Sequence, residues 1–150
     1  MSRELAKRGH DVSIVTERRG SQGEIENITN RMNSNDYTIF DVKDPFSAGR
    51  ILGGACMVLG LRLHSLILSA MLGVPIMSVD YDSKIKGFME HVGAGGYLLK
   101  PDDLPEKYLE TINKLLNNSE IRLNLLSTVA SIRERILTQA RTMREILVIH

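Results

Sequence analysis

Residues Ala55–Val79 read ACMVLGLRLHSLILSAMLGVPIMSV, three apolar runs separated by two short breaks. The first run, Ala55–Gly60, is apolar throughout, which is the pattern of a central strand in a parallel sheet covered on both faces. The second, Leu63–Leu72, has helical length and is closed by Gly73, a residue that tolerates the left-handed conformation ending many helices. The third, Val74–Val79, is again a strand, with Pro75 near its start where a missing N–H is tolerated. A strand, a helix and a strand joined by tight turns make a βαβ unit, and its two strands must run parallel.

The alternation continues in both directions. Upstream, His10–Thr16 and Tyr37–Val42 read as strands rich in β-branched residues. Ser2–Arg8, Glu24–Asn33 and Ser47–Gly54 read as helices, with a polar loop over Glu17–Gly23 and a break at Asn33–Asp36. Downstream, Ser83–Val92 is a helix ended by Gly93, and Tyr97–Leu99 is a last short strand. Asp103 is placed to cap a helix that runs to Asn117 with Pro105 in its first turn. Ser119–Leu147 then forms a long helix with Ile121, Leu125, Val129, Ile132, Ile136, Met143 and Ile146 on one stripe. The pattern predicts an α/β class with a Rossmann-like order: a parallel sheet, helices on both faces, and a long C-terminal helix. We divide it into a domain over 1–118 and a terminal helix over 119–150 that packs on the domain or on a partner. The chain opens on a helix where such a domain normally opens on a strand, so the first βα unit is expected to be incomplete.

Composition narrows the class. The 150 residues are 43% hydrophobic and 25% charged, which suits a single folded domain. Residues 1–75 hold nine basic and eight acidic side chains, and residues 76–150 hold ten of each. No half has the field that gathers nucleic acid or an anionic membrane. The single cysteine, Cys56, has no intrachain partner and no CxxC neighbour, and it reads as a small buried hydrophobe. The charged start Met1–Arg8 has no apolar core for a signal peptide. The longest apolar stretch, Leu63–Pro75, is too short and too mixed to span a bilayer. A cytoplasmic protein is the expectation.

Ligands of open parallel sheets bind beyond the carboxyl ends of the strands, which selects the turns after Thr16, Val42, Gly60 and Val79. The turn Glu17–Gly23 is basic and contains glycine, but it fits neither a Walker A pattern nor GxGxxG, and it reads as a solvated loop. The turn Gly60-Leu61-Arg62-Leu63-His64 runs straight into a helix. Free backbone N–H groups and the helix dipole favour an anion there. Arg62 adds a planar fork suited to carboxylate or phosphate, and His64 adds a group that can give a proton near neutral pH. The opposing reading makes Arg62 a local ion-pair partner and His64 a helix cap. The next turn, Asp80-Tyr81-Asp82-Ser83-Lys84, is expected beside the first. There Asp82 would orient Arg62 or His64, or simply cap the following helix, and Lys84 would add positive charge. No pair among His10, His64, His91 and His150 sits at metal-ligand spacing, so no metal site is expected.

Leu59-Gly60-Leu61-Arg62-Leu63-His64-Ser65-Leu66-Ile67, then Gly73-Val74-Pro75, then Asp80–Phe88 and Val92-Gly93, resembles the C-terminal half of the polysaccharide pyruvyl transferase family. That family carries a G-x-R-L-H-x-x-I turn, a G-V-P strand start and an S-Y-D-x-K-V segment in the same order. The resemblance implies one half of a fold like that of the GT-B glycosyltransferases, with no cofactor. It implies phosphoenolpyruvate or a similar small anion as donor, held by Arg62, Leu63 and His64, and a saccharide acceptor. An active member is a transferase that moves pyruvyl onto two sugar hydroxyls; His64 is the candidate catalytic acid, and Asp82 and Lys84 are further substrate-binding candidates. The family's N-terminal domain is not found in this sequence, so a separate N-terminal partner or a homo-oligomer is implied. Asp80 stands where the family has serine. Two alternatives remain open from the residues: a degenerate, non-catalytic binding or oligomerisation module, and the nucleotide-sugar half of a GT-B glycosyltransferase. The second lacks the acidic E-x7-E type motif usual near such donors.

Overall fold

Two small parallel sheets and five helices make up the part of the chain that the computed structural model describes, namely residues 5, 7–17, 23, 26, 30 and 37–147. The helices read over Ser2–Arg8 and Glu24–Asn33, the loop Glu17–Gly23, the break Asn33–Asp36 and the terminal His150 lie wholly or mostly outside these residues. The chain forms two compact units, Met1–Gly54 and Ala55–His150. The long terminal helix falls within the second unit.

In the first unit, β1 (Ser13–Glu17) pairs in parallel with β2 (Thr38–Val42), Ser13 opposite Thr38 and Glu17 opposite Val42. Helix α1 (Pro45–Gly53) begins two residues before the helix read over Ser47–Gly54, because Asp44-Pro45 starts it. Asp44 accepts from the N–H groups of Phe46 and Ser47 at 2.9 Å each and from Ser47 Oγ at 2.6 Å. Pro45 fills the first helical position, where no N–H is needed. The Ser47 hydroxyl, followed by its N–H, holds the Asp44 carboxyl below its ordinary pKa. This grip is therefore complete above the usual carboxylate range and is lost as pH falls through the lowered value.

In the second unit, β3 (Val58–Leu59), β4 (Ile76–Val79) and β5 (Leu98–Leu99) form one parallel sheet in the order β3-β4-β5. The central strand of this sheet is β4, and it is buried from Ile76 to Ser78. This corrects the reading of Ala55–Gly60 as a covered central strand: only Val58 and Leu59 are extended, and Val58 alone of the two is buried. Cys56 lies in the bend before them and is exposed, not buried. The sheet also stands apart from the β1–β2 pair in its ladder, so the single continuous sheet read from the sequence is replaced by two.

Four helices follow the strands: α2 (Leu63–Met71), α3 (Ser83–His91), α4 (Pro105–Asn117) and α5 (Ser119–Leu147). A turn of 3-10 helix over Gly95–Tyr97 leads into β5. Leu66, Val74, Ile76, Met77, Ile85 and Met89 form the centre of the core, and Leu99, Ile112, Leu115 and Leu125 close it from β5, α4 and α5. The two buried serine hydroxyls among the described residues are both used: Ser69 Oγ donates to the Ser65 carbonyl and Ser78 Oγ to the Gly60 carbonyl. Asp103 does not cap α4 by its side chain, as the sequence suggested. Leu104 holds the cap position, and Asp103 stands one residue too early, where it closes the turn after β5. It accepts from the Lys100 N–H at 2.7 Å and from Lys107 Nζ at 2.8 Å. Of the α5 stripe, Leu125 is buried and Ile121, Val129 and Ile132 are half-buried, whereas Ile136 and Met143 are exposed. Among the described residues, no helix is long and apolar enough to cross a membrane.

Gly73 ends α2 with φ +70°, and its N–H and that of Val74 turn back to Ala70 and Ser69. A Cβ there would lie 2.4 Å from Leu126 Cδ2 of α5. Gly73→Ala combines left-handed strain with overpacking of the α2–α5 contact and is expected to destabilise the fold by about 2 kcal/mol or more. Chemical denaturation of the two proteins measures it; an unchanged midpoint would contradict the packing described.

Candidate functional site at the carboxyl edge of the second sheet

The turn after β3 is fixed from three sides. The β3–β4 ladder continues one residue past the strand, the Gly60 N–H donating to Met77 O at 3.0 Å. The Ser78 hydroxyl, fully buried, donates to Gly60 O at 2.6 Å. A Cβ on Gly60 would meet Leu66 Cδ2 at 2.6 Å and Leu66 Cγ at 2.8 Å, so α2 lies against the end of the strand at a distance only glycine permits. From Gly60 the chain needs just Leu61 and Arg62 to enter α2.

Arg62 is the N-cap residue in extended conformation, and its carbonyl accepts from the N–H groups of Ser65 and Leu66 and from Ser65 Oγ. No side chain caps the helix, and its first turn holds no acidic residue. The backbone N–H groups of Leu63 and His64 thus have no protein acceptor among the described residues and lie at the positive end of the helix dipole. The side chains of Arg62 and His64 are exposed, and neither has a hydrogen-bond or ion-pair partner among the described residues. Leu63 is half-buried and brings its backbone to the turn.

The turn after β4 lies beside it. The Tyr81 hydroxyl donates to the Leu61 carbonyl, tying the two turns together at the residue before Arg62. Asp82 is the N-cap of α3 and accepts from the Lys84 N–H at 2.8 Å. It forms no bond to Arg62 or His64 among the described residues, so of its two readings the cap is the one its contacts fill. Lys84 is exposed in the first turn of α3. Asp80 is half-buried, with its N–H donated to Leu99 O at 2.7 Å.

A third turn, Lys100–Asp103, follows β5 at the same edge and was not among those selected from the sequence, because the two-residue β5 gives little signal. The Lys107 ammonium, followed by the Lys100 N–H, holds the Asp103 carboxyl below its ordinary pKa, and Tyr108 Oη donates to Lys100 O at 3.0 Å. These contacts order the turn and leave the Lys100 ammonium exposed. The structure therefore brings the Arg62–His64 turn and the Tyr81–Lys84 turn together through one hydrogen bond, with basic side chains presented from β3, β4 and β5. It does not join Asp82 to the Arg62 and His64 side chains.

Two hollows are described, and both lie elsewhere. One of about 100 Å³ opens at the amino end of β4 among Ile76, Val92, Tyr97, Leu125 and Thr128. One of about 320 Å³ lies along α5 beside Met71. No group of His, Cys, Asp and Glu side chains suited to a metal ion occurs among the described residues. No family model matches the chain, and no solved structure matches it.

Gly60→Ala tests the geometry of the first turn. The new methyl group would press on the side chain of Leu66, which is fully buried. A loss of about 1–3 kcal/mol is expected, read by thermal and urea unfolding. Wild-type stability in this variant would mean that α2 does not approach β3 as closely as described.

Proposed function

We propose that the carboxyl edge of β3 and β4 is an anion site, and that the chain is a polysaccharide pyruvyl transferase-like domain, one Rossmann-like half of a GT-B-like fold. The observation that carries the reading is the uncapped start of α2: two unpaired N–H groups, no acid in the first turn, and the exposed, unpartnered Arg62 and His64 side chains on either side of Leu63. The order of G-x-R-L-H, G-V-P and Y-D-x-K in the sequence supports it, since the first and last of these segments form the two turns that Tyr81 joins and G-V-P leads into the strand between them.

In this reading phosphoenolpyruvate is the donor. Its phosphate or carboxylate accepts from the Leu63 and His64 N–H groups, and Arg62 offers its two-pronged donor to the other anionic group. Lys84 adds attraction from the neighbouring turn. His64 gives a proton to the methylene carbon of the enol, which leaves positive charge on the adjacent carbon beside the Arg-bound carboxylate. One sugar hydroxyl bonds to that carbon and gives up its proton. Inorganic phosphate then departs with the C–O electron pair, and a second hydroxyl bonds and loses its proton to complete the ketal. The saccharide contacts and the remaining donor contacts come from a separate N-terminal domain or a second chain. Asp82 serves in this scheme by capping α3, which holds the Tyr81–Lys84 turn in place.

Isothermal titration of the chain with phosphoenolpyruvate, beside Arg62→Ala and His64→Ala, tests the proposal. Saturable binding is expected, weakened at least about tenfold, or about 1.4 kcal/mol, by each substitution. Binding that neither substitution changes, or tighter binding of a uridine nucleotide, would overturn it.

A further inference from the structure

Three strands end at the carboxyl edge of the second sheet, and their ladders set the last residues side by side. Gly60 lies opposite Ser78, since its N–H donates to Met77 O. Two residues further, the neighbouring chains reach Arg62 and Asp80, where the Tyr81–Leu61 bond ties them together. On the other flank Val79 lies opposite Leu99 and the Asp80 N–H donates to Leu99 O, which sets Asp80 opposite Lys100. Asp80 is thus the middle residue of a row with a basic residue on either side. The Lys100 backbone is one strand spacing away, about 5 Å.

The acids of this edge differ in what they hold. Asp82 accepts from the Lys84 N–H, and Asp103 accepts from the Lys100 N–H and the Lys107 ammonium. Asp102 is exposed to solvent. Asp80 is half-buried, and its carboxylate has no hydrogen-bond or ion-pair partner among the described residues, neither Arg62 nor Lys100. An ionised carboxylate drawn partly out of water only accepts hydrogen bonds, so whatever satisfies it must donate. A bare anion beside Arg62 cannot do so and would set like charge against Asp80.

We infer that Asp80 is the hydroxyl-binding residue of this site, its two carboxylate oxygens accepting from two neighbouring hydroxyls of a saccharide. The inference rests on the anion-site reading and names the other part of the ligand. The anionic group lies at the start of α2 with Arg62, and the hydroxyls lie one strand away at Asp80. Two oxygens side by side match a pair of hydroxyls on one sugar, the pair that a pyruvyl ketal bridges. Asp80 thereby selects a ligand that carries both an anion and hydroxyl donors, by attracting the hydroxyls and repelling an anion that lacks them.

Isothermal titration of the chain and of Asp80→Asn and Asp80→Ala with two probes tests this inference, with circular dichroism as the check on folding. Methyl phosphate reads the anion site alone, and glucose 6-phosphate adds ring hydroxyls. The wild type is expected to bind glucose 6-phosphate at least about tenfold more tightly than methyl phosphate, the worth of a hydrogen bond to a charged group. Each substitution should erase that preference and leave methyl phosphate bound as tightly as before, or more tightly. The fold should be kept, because the bond to Leu99 O uses the backbone of residue 80 and not its side chain. A preference that survives both substitutions overturns the inference. So does loss of both probes together, which would make Asp80 a prop of its turn. Methyl phosphate binding that Arg62→Ala weakens, with no preference for the sugar in the wild type, overturns this inference and leaves the anion site standing. No binding of methyl phosphate at all removes both.

Discussion

The absence of a side chain at residue 60 lets α2 lie against the end of β3, with Leu66 in full core contact and a Gly60 Cβ only 2.6 Å from its Cδ2 if one were present. Much else in the second unit depends on that approach. Leu66 fills the core beneath the turn, Ser78 reaches the Gly60 carbonyl, and the chain has just two residues in which to pass from strand to helix. A larger residue would push α2 outward, and the N–H groups of Leu63 and His64 would move with it. The constraint is steric, but its consequence is electrostatic: it fixes the positive end of a helix at the carboxyl edge of a parallel sheet.

The neighbouring turn is built differently, and the contrast explains why the two are unequal as anion sites. Helix α3 starts at Asp82, whose carboxylate takes the Lys84 N–H for itself. A capped helix with an acidic residue at its start has little left to offer an anion. Helix α2 starts at Arg62, whose side chain has no acceptor to give its own helix and adds positive charge instead. Tyr81 joins these two unlike turns through the Leu61 carbonyl, so the second turn serves as a brace for the first.

Much of this organisation was legible in the sequence because it is local. Leu63–Leu72, Ser83–Val92 and Ser119–Leu147 carry clear apolar periodicity; the first two helices end within a residue of those bounds, and the third starts at Ser119 as read. The strands were less legible. Ala55–Gly60 looks like a buried strand because it is apolar, yet only Val58 and Leu59 find ladder partners, and hydrophobicity alone does not tell pairing from bending. The start of α1 lies two residues before the expected Ser47, because Asp44-Pro45 sets it. The Arg62 and His64 turn was visible from its residue types. The Tyr81–Leu61 bond and the Ser78–Gly60 bond were not, because each spans about twenty residues of chain and depends on the sheet being formed. The long C-terminal helix announced its length but not where along it the core contact ends: Leu125 is buried, whereas Ile136 and Met143 are exposed.

An amide-resolved NMR titration of the chain with phosphoenolpyruvate tests the central claim most directly, because it reads the backbone donors themselves. The account predicts saturable shifts concentrated at Leu61–Ser65 and, through the Tyr81 bond, at Tyr81–Lys84, with the amides around the two hollows unmoved. Shifts confined to the hollow at Tyr97 and Thr128, or none anywhere in the folded chain, would contradict it.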